Sequence, residues 1–151
     1  MIIPHFFGIL SLRRKGLHIM RRVNLLYIIT KLELGGAQKQ LLELINCLDK
    51  ERYKIFLFTA KDGLLCDNAL SVKDLEINRS IFLERPINPF KDLFALIELY
   101  FFIRNNKIDI AHTHSSKAGI LGRLSAKLAG VKTIIHTVHG WSFNDYQPAV
   151  L

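Results

Sequence analysis

The segment Val23–Thr30 (VNLLYIIT) is a nearly unbroken apolar run with little of the polar–apolar alternation that marks a strand with one wet face. Such a run is stable as a strand covered by protein on both sides, the situation of a parallel sheet flanked by helices. A helical pattern follows. Across Ala37–Leu48 the apolar residues Ala37, Leu41, Leu44, Ile45 and Leu48 fall on one stripe. Tyr53–Ala60 (YKIFLFTA) then repeats the buried-strand pattern, and Lys61-Asp62-Gly63 closes it.

The alternation continues to the end of the chain. Leu64–Val72 fits either helix or loop, and Ile77–Leu83 reads as a third strand. Arg85-Pro86-Ile87-Asn88-Pro89 is a connector that its two prolines keep extended. The spacing predicts a long helix over Phe90–Asn105, with Leu93, Phe94, Ile97, Tyr100 and Phe101 as its buried stripe. Ile108–His112 is a short strand, Ser115–Ala129 a helix with Gly130 as its C-cap, and Lys132–Val138 a last strand before His139-Gly140. Strands alternating with helices at these spacings predict parallel βαβ units. The fold class is α/β, a Rossmann-like parallel sheet with helices on both faces.

Charge separates the ends of the chain from this pattern. Residues 1–22 hold Arg13, Arg14, Lys15, Arg21 and Arg22 and no acid, whereas the other 129 residues carry 16 basic and 13 acidic groups. A domain near +3 is ordinary, so the overall +8 does not imply a nucleic-acid partner. Residues 1–22 therefore read as a leader outside the fold, with Met20 as an alternative start, and residues 23–151 as the folded part. The apolar start precedes its basic cluster, the reverse of a secretory signal, and is too short to span a bilayer. Apolar side chains beside arginines do suit peripheral contact with an anionic membrane. Cys47 and Cys66 are too few for a disulfide framework, so a cytoplasmic setting is expected.

Ligands of doubly wound sheets bind beyond the carboxyl ends of the strands, which singles out three segments. In Glu33-Leu34-Gly35-Gly36-Ala37-Gln38, paired glycines precede a helix, whose free N–H groups and positive dipole end suit a phosphate. A tight strand-to-helix turn would use the same residues. In His112-Thr113-His114-Ser115-Ser116-Lys117, either serine can cap the following helix and Lys117 can neutralise an anion. His112 and His114 share a strand face, but no third ligand stands at a metal-binding spacing. In His136-Thr137-Val138-His139-Gly140-Trp141, His139 sits at the strand end, and Trp141 and Phe143 would supply an apolar wall. His136, by alternation, belongs to the opposite face and reads as packed. The pairs Glu43/Glu51 and Glu76/Glu84 share a spacing that some sugar transferases use, but neither stands in a glycine-rich loop before a helix.

Together these segments resemble the N-terminal domain of the family 4 retaining glycosyltransferases, enzymes of the GT-B type with two Rossmann-like domains facing a cleft. The matching stretches are Val23–Leu48, Asp109–Leu128 (DIAHTHSSKAGILGRLSAKL) and Val131–Trp141 (VKTIIHTVHGW), and the likeness is greatest to the bacterial branch that builds surface polysaccharides. The resemblance implies that Gly35 and Gly36 lie against the diphosphate of a nucleotide-sugar donor. It implies that His139 is the catalytic histidine, contacting the transferred sugar. It sets His114, Ser115, Ser116 and Lys117 on the acceptor side, facing a lipid-linked saccharide. It implies no cofactor and no catalytic metal, only the nucleotide-sugar as co-substrate. The family's C-terminal domain, which grips the nucleotide, has no counterpart in these residues. The chain alone is therefore expected to be inactive, or to act as a subunit that needs a separate C-terminal domain.

Overall fold

The computed structural model describes residues 21–139. The apolar start of the leader, Met20, Gly140, Trp141 and Phe143 lie outside them. Within them five parallel strands alternate with four helices: β1 (Val23–Ile28), α1 (Gly36–Cys47), β2 (Tyr53–Ala60), α2 (Cys66–Leu70), β3 (Leu75–Ser80), α3 (Pro89–Asn105), β4 (Ile110–His114), α4 (Ser116–Leu128) and β5 (Thr133–Thr137). The sheet order is β3-β2-β1-β4-β5, with every pairing parallel. The predicted Rossmann-like sheet is therefore the fold.

β1 lies at the centre, and its side chains alternate between two cores. Leu25, Tyr27 and Ile29 pack with Ile55 and Leu57 of β2 beneath α1 and α2. Leu26 and Ile28 pack with Phe56 and Phe58 beneath α3 and α4. The unbroken apolar pattern of the sequence is thus the pattern of a strand whose two faces are both interior. Gly130 takes φ +82 just past the end of α4, the left-handed conformation that glycine adopts without strain.

Two helices dock differently from the sequence expectation. α3 buries Ala95, Leu99 and Ile103, while Leu93, Phe94, Ile97 and Phe101 are exposed and Tyr100 is half-buried. The aromatic rings of Phe56 and Phe58 already fill the space over β2, where both stack edge-on with Phe102. The helix therefore approaches by its smallest residue, Ala95, rather than by its richest apolar arc. In α1, Leu42 is buried while Leu44 is 40% exposed, because α2 covers one flank of the helix and leaves the other open. Smaller shifts occur at strand ends: β3 starts and ends earlier than Ile77–Leu83, and β4 runs through His114 instead of stopping at His112.

Long-range polar contacts fix the amino end of the sheet. Asn24 donates from its backbone N–H to Asp109 Oδ2 at 2.8 Å and from its side chain to the carbonyls of Asn106 and Lys107. Arg21 pairs with Asp109 at 2.5 Å and Arg22 reaches the Lys50 carbonyl, so the last two leader arginines touch the domain. At the opposite end Gly63 lies under the loop after β1. A Cβ there would stand 2.5 Å from the Leu32 carbonyl oxygen and 2.9 Å from its carbon. Those are backbone atoms, tied further by the Leu65 N–H at 2.9 Å, and cannot swing away. We expect Gly63→Ala to destabilise the fold by about 1–3 kcal/mol, read as a lowered thermal midpoint.

Candidate functional site

The first sheet connections run from β1 toward β3 with their helices on one face, and later ones run toward β5 with helices on the other. Between β1 and β4 the direction reverses, and the loops that follow these strands diverge to leave a crevice, the usual ligand position in such folds. The Gly35–Gly36 loop follows β1 and the Ser115–Lys117 segment follows β4, so the topology brings these two sequence-predicted segments to one crevice. A cleft of about 300 Å³ lies there, lined by Thr30, Lys31, Glu33, Gln38, Arg85 and Ser115 to Lys117.

Its floor is a polar junction that crosses between strands. Thr30 Oγ1 and Ser115 Oγ are 2.7 Å apart, the Thr30 N–H donates to Ser115 Oγ at 3.3 Å, and Thr30 Oγ1 accepts from the Ala118 N–H at 3.2 Å. The cap of α4 therefore comes from Thr30, on the neighbouring strand. Ser115 occupies the N-cap position but makes no side-chain cap bond, because its hydroxyl is turned onto Thr30. Ser115 also takes φ +64, a conformation that costs a non-glycine residue about 1–3 kcal/mol. Thr30 escapes a sequence reading since its role depends on a neighbour 85 residues away.

The glycine pair behaves unequally. A Cβ on Gly35 would meet only the flexible Gln38 amide, whose Nε2 donates to the Lys31 carbonyl at 3.3 Å. A Cβ on Gly36 would meet nothing within 4 Å. The fold itself therefore makes no steric demand for glycine at position 36. Neither α1 nor α4 carries an acid in its own first turn, so neither helix cancels its own positive dipole end beside the crevice.

Lys117 is occupied elsewhere. Its ammonium pairs with Asp92 at 2.5 Å and donates to the Pro86 carbonyl at 2.5 Å, with only 14% of the side chain exposed. It ties the start of α4 to the start of α3. The other cations lining the crevice are Lys31 and Arg85, both paired with Glu33 on its rim.

The histidines form a second group on the α1 side of β4 and β5. His112 and His114 share a strand face as alternation predicts, with ring centroids 4.3 Å apart, and Tyr27 lies beside both. His114 Nδ1 is 2.7 Å from Nε2 of the exposed His139, and His112 Nε2 is 2.7 Å from Thr137 Oγ1. A cleft of about 310 Å³ opens in front of them, lined also by Gln40, Leu41, Glu43, Leu44 and Cys47. His114 thus lies in this cleft, apart from Ser115 to Lys117 with which the sequence reading grouped it. His136 packs on the other face, its Nδ1 2.9 Å from Thr113 Oγ1 and its ring against Gly119. Among the described residues no group of three or more His, Cys, Asp or Glu is placed to hold a metal ion.

Comparison with known proteins decides the family. The profile described as Glycosyltransferase Family 4 matches residues 34–150. The chain belongs to glycosyltransferase family 4. Among its relatives, an Escherichia coli UDP-Gal:alpha-D-GlcNAc-diphosphoundecaprenol alpha-1,3-galactosyltransferase is 42% identical over 115 residues, which are 74% of this chain and 28% of that protein. The E. coli O-antigen biosynthesis glycosyltransferase WbnH is 32% identical over 79% of this chain and 32% of its own length. The chain thus spans about a third of the curated relatives it matches. Similar folds include a glycosyltransferase from Rickettsia africae (TM-score 0.64, 16% identity, 83% of this chain and 32% of that one) and Acinetobacter baumannii MurG (TM-score 0.59, 18% identity, 79% and 37%).

The histidine pair in this family 4 chain has a measurable signature. Burial, and then the neighbouring His112, His139 and His136, push His114 down from 6.5 to about 3. His112 is lowered by burial and by His136 and His139. Between those limits the unfolded chain binds a proton at His114 that the folded chain refuses, so stability rises with pH across the window and is lost as pH falls. Denaturant melts should show stability declining from pH 6.5 toward 4, with a shallower slope in His114→Phe.

Proposed function

We propose that this chain forms the acceptor-side half of a glycosyltransferase, which moves a sugar from a nucleotide-sugar donor to a lipid-linked saccharide with retention of configuration. The observation that carries the reading is Gly36: a glycine for which the fold has no steric use, at the positive end of α1, between Glu33 and Gln38, which line the crevice. Space left by an absent Cβ at a helix N-terminus suits the close approach of a phosphate. The relatives support the same chemistry, one a galactosyltransferase with a diphosphoundecaprenol-linked acceptor and another an O-antigen enzyme.

In this reading the amides of Gly35 and Gly36 and the α1 dipole hold the donor diphosphate. The barrier falls because charge developing on the departing diphosphate meets fixed dipoles that need no reorganisation. Lys31 and Arg85 add positive charge from the crevice wall, a role in which a metal is not required. His139 contacts the transferred sugar as its anomeric carbon passes through an oxocarbenium-like state. The neutral His114 positions His139 through the 2.7 Å contact. Ser115 and Ser116 line the acceptor side, while Lys117 acts there by holding α4 in place. A C-terminal domain supplies the opposite wall and most of the nucleotide contacts, so the 151-residue chain alone does not turn over.

The test is an NMR titration of the 151-residue chain with UDP-galactose, and then with a GDP-sugar. Weak binding should shift the amides of Gly35–Gln38, and Gly36→Ala should abolish the shifts while moving stability by no more than about 0.5 kcal/mol. Shifts that survive Gly36→Ala would remove the diphosphate from this loop. Turnover by the purified chain would overturn the assignment of half an enzyme.

A further inference from the structure

Two cavities meet at one cluster of ions. Lys31 and Arg85 line the crevice of about 300 Å³, and the same two cations line a larger cavity of about 520 Å³ over the ends of β2 and β3. The larger cavity is bounded by Ala60, Ser80, Leu83 and Pro86 and carries a further cation, Lys61. Among the described residues Lys61 has no carboxylate partner. Of the two acids on the wall of this cavity, Glu84 pairs with Lys91 at 2.6 Å and Asp62 follows Lys61 in sequence. Glu33 lines the crevice and not the larger cavity.

The way Glu33 meets the two cations is specific. Lys31 Nζ lies 3.1 Å from Glu33 Oε1, and Arg85 Nη1 lies 3.3 Å from Oε2. One carboxylate thus gives one oxygen to each cation. A phosphate group can make the same bridge, with more negative charge and with oxygens to spare. As a structural tie the bridge is weak. The side chains are 35% exposed at Lys31, 39% at Glu33 and 80% at Arg85, and ion pairs so open to water contribute little to stability. The contrast is Lys117 with Asp92, a pair that is 14% and 19% exposed and ties two helices together. A carboxylate that adds little to the fold, set between two cations at the junction of two cavities, is one that a stronger anion can replace.

We propose that Lys31 and Arg85 form a phosphate site which Glu33 occupies in the free chain, and which a phosphorylated ligand opens by displacing that carboxylate. The phosphate then bridges the two cations, and the larger cavity beside Lys61 has room for the rest of the molecule. Glu33 acts as a built-in competitor. Chains with the carboxylate in place cannot bind, so the apparent affinity falls by the fraction that is open. A neutral sugar gains nothing by displacing Glu33, whereas a multiply charged phosphate does, and the competitor therefore selects for charge. This site uses side-chain cations, unlike the Gly35–Gly36 loop with its backbone N–H groups. Assigning its phosphate to a nucleotide-sugar donor or to a diphospholipid acceptor rests on the proposed function; the site itself does not.

NMR titration of the isotope-labelled 151-residue chain with inorganic pyrophosphate tests it, followed at the Arg85 side-chain Nε–H and the amides of Lys31 and Glu33. Glu33→Gln should tighten binding about threefold or more, and Lys31→Gln with Arg85→Gln should weaken it about tenfold or more. Glu51→Gln removes the same charge at an exposed position by the amino end of β2, and should change affinity by less than about twofold. None of the substituted side chains is buried, and circular dichroism checks that the variants fold. Gly36→Ala should leave the Arg85 response in place. Uridine diphosphate and farnesyl diphosphate, titrated separately, identify the source: the one that moves Arg85 and is tightened by Glu33→Gln is the kind of ligand the site takes. The proposal falls if pyrophosphate leaves Arg85 unmoved, if Glu33→Gln and Glu51→Gln tighten binding equally, or if Gly36→Ala removes the response. It falls equally if pyrophosphate binds and neither organic diphosphate does, which would mean an adventitious ion only. Pyrophosphate carries no sugar, so failure here is separate from failure of the Gly35–Gln38 amides to respond to UDP-galactose.

Discussion

The junction of Thr30, Ser115 and the Ala118 N–H is the constraint on which the candidate site depends. Crossovers between parallel strands keep one hand, so connections that progress in opposite directions along a sheet lie on opposite faces. That change of direction falls between β1 and β4, and the reversal opens the crevice. Opening a crevice also exposes polar backbone at the start of α4. Thr30 satisfies one of those N–H groups from the adjacent strand, and its hydroxyl meets that of Ser115, which takes a positive φ. The strained residue and the unfilled space at Gly36 flank the same reversal.

Electrostatics divides the site into two parts with different tasks. Around the crevice neither α1 nor α4 has an acid in its own first turn; Lys31 and Arg85 share the carboxylate of Glu33, and Lys117 is paired with Asp92. The histidine cleft is the reverse case, since burial and mutual proximity keep His112 and His114 neutral. The buried His114 meets the exposed His139 through Nδ1 and Nε2 at 2.7 Å, so the ring at the strand end is held by a neighbour inside the cleft.

Much of the fold was legible because burial on two faces leaves an unambiguous trace in a strand. Tyr53–Ala60 matches its predicted limits, and Val23–Thr30 differs by two residues at one end. Helix limits were likewise recoverable, but helix orientation was not. In α3 apolar residues occupy most of the circumference, so periodicity could not choose a face. The choice was made by Phe56 and Phe58, which left room only for Ala95. Among the site residues, Gly35, Gly36 and the histidines were visible as residue types at strand ends. Thr30 and Arg85 had no such signal.

The sequence by itself determined the element types, the parallel sheet, the family and the three loops at the strand ends, because these follow from local periodicity and short motifs. Tertiary structure decided which side chains meet. It gave the cap of α4 to Thr30, committed Lys117 to Asp92, and separated His114 from Ser115 into different clefts. Each outcome depends on a partner on another element of the fold, and alternation along a strand sends neighbours to opposite faces. No local pattern can encode a contact whose other half is supplied by a different element of the fold.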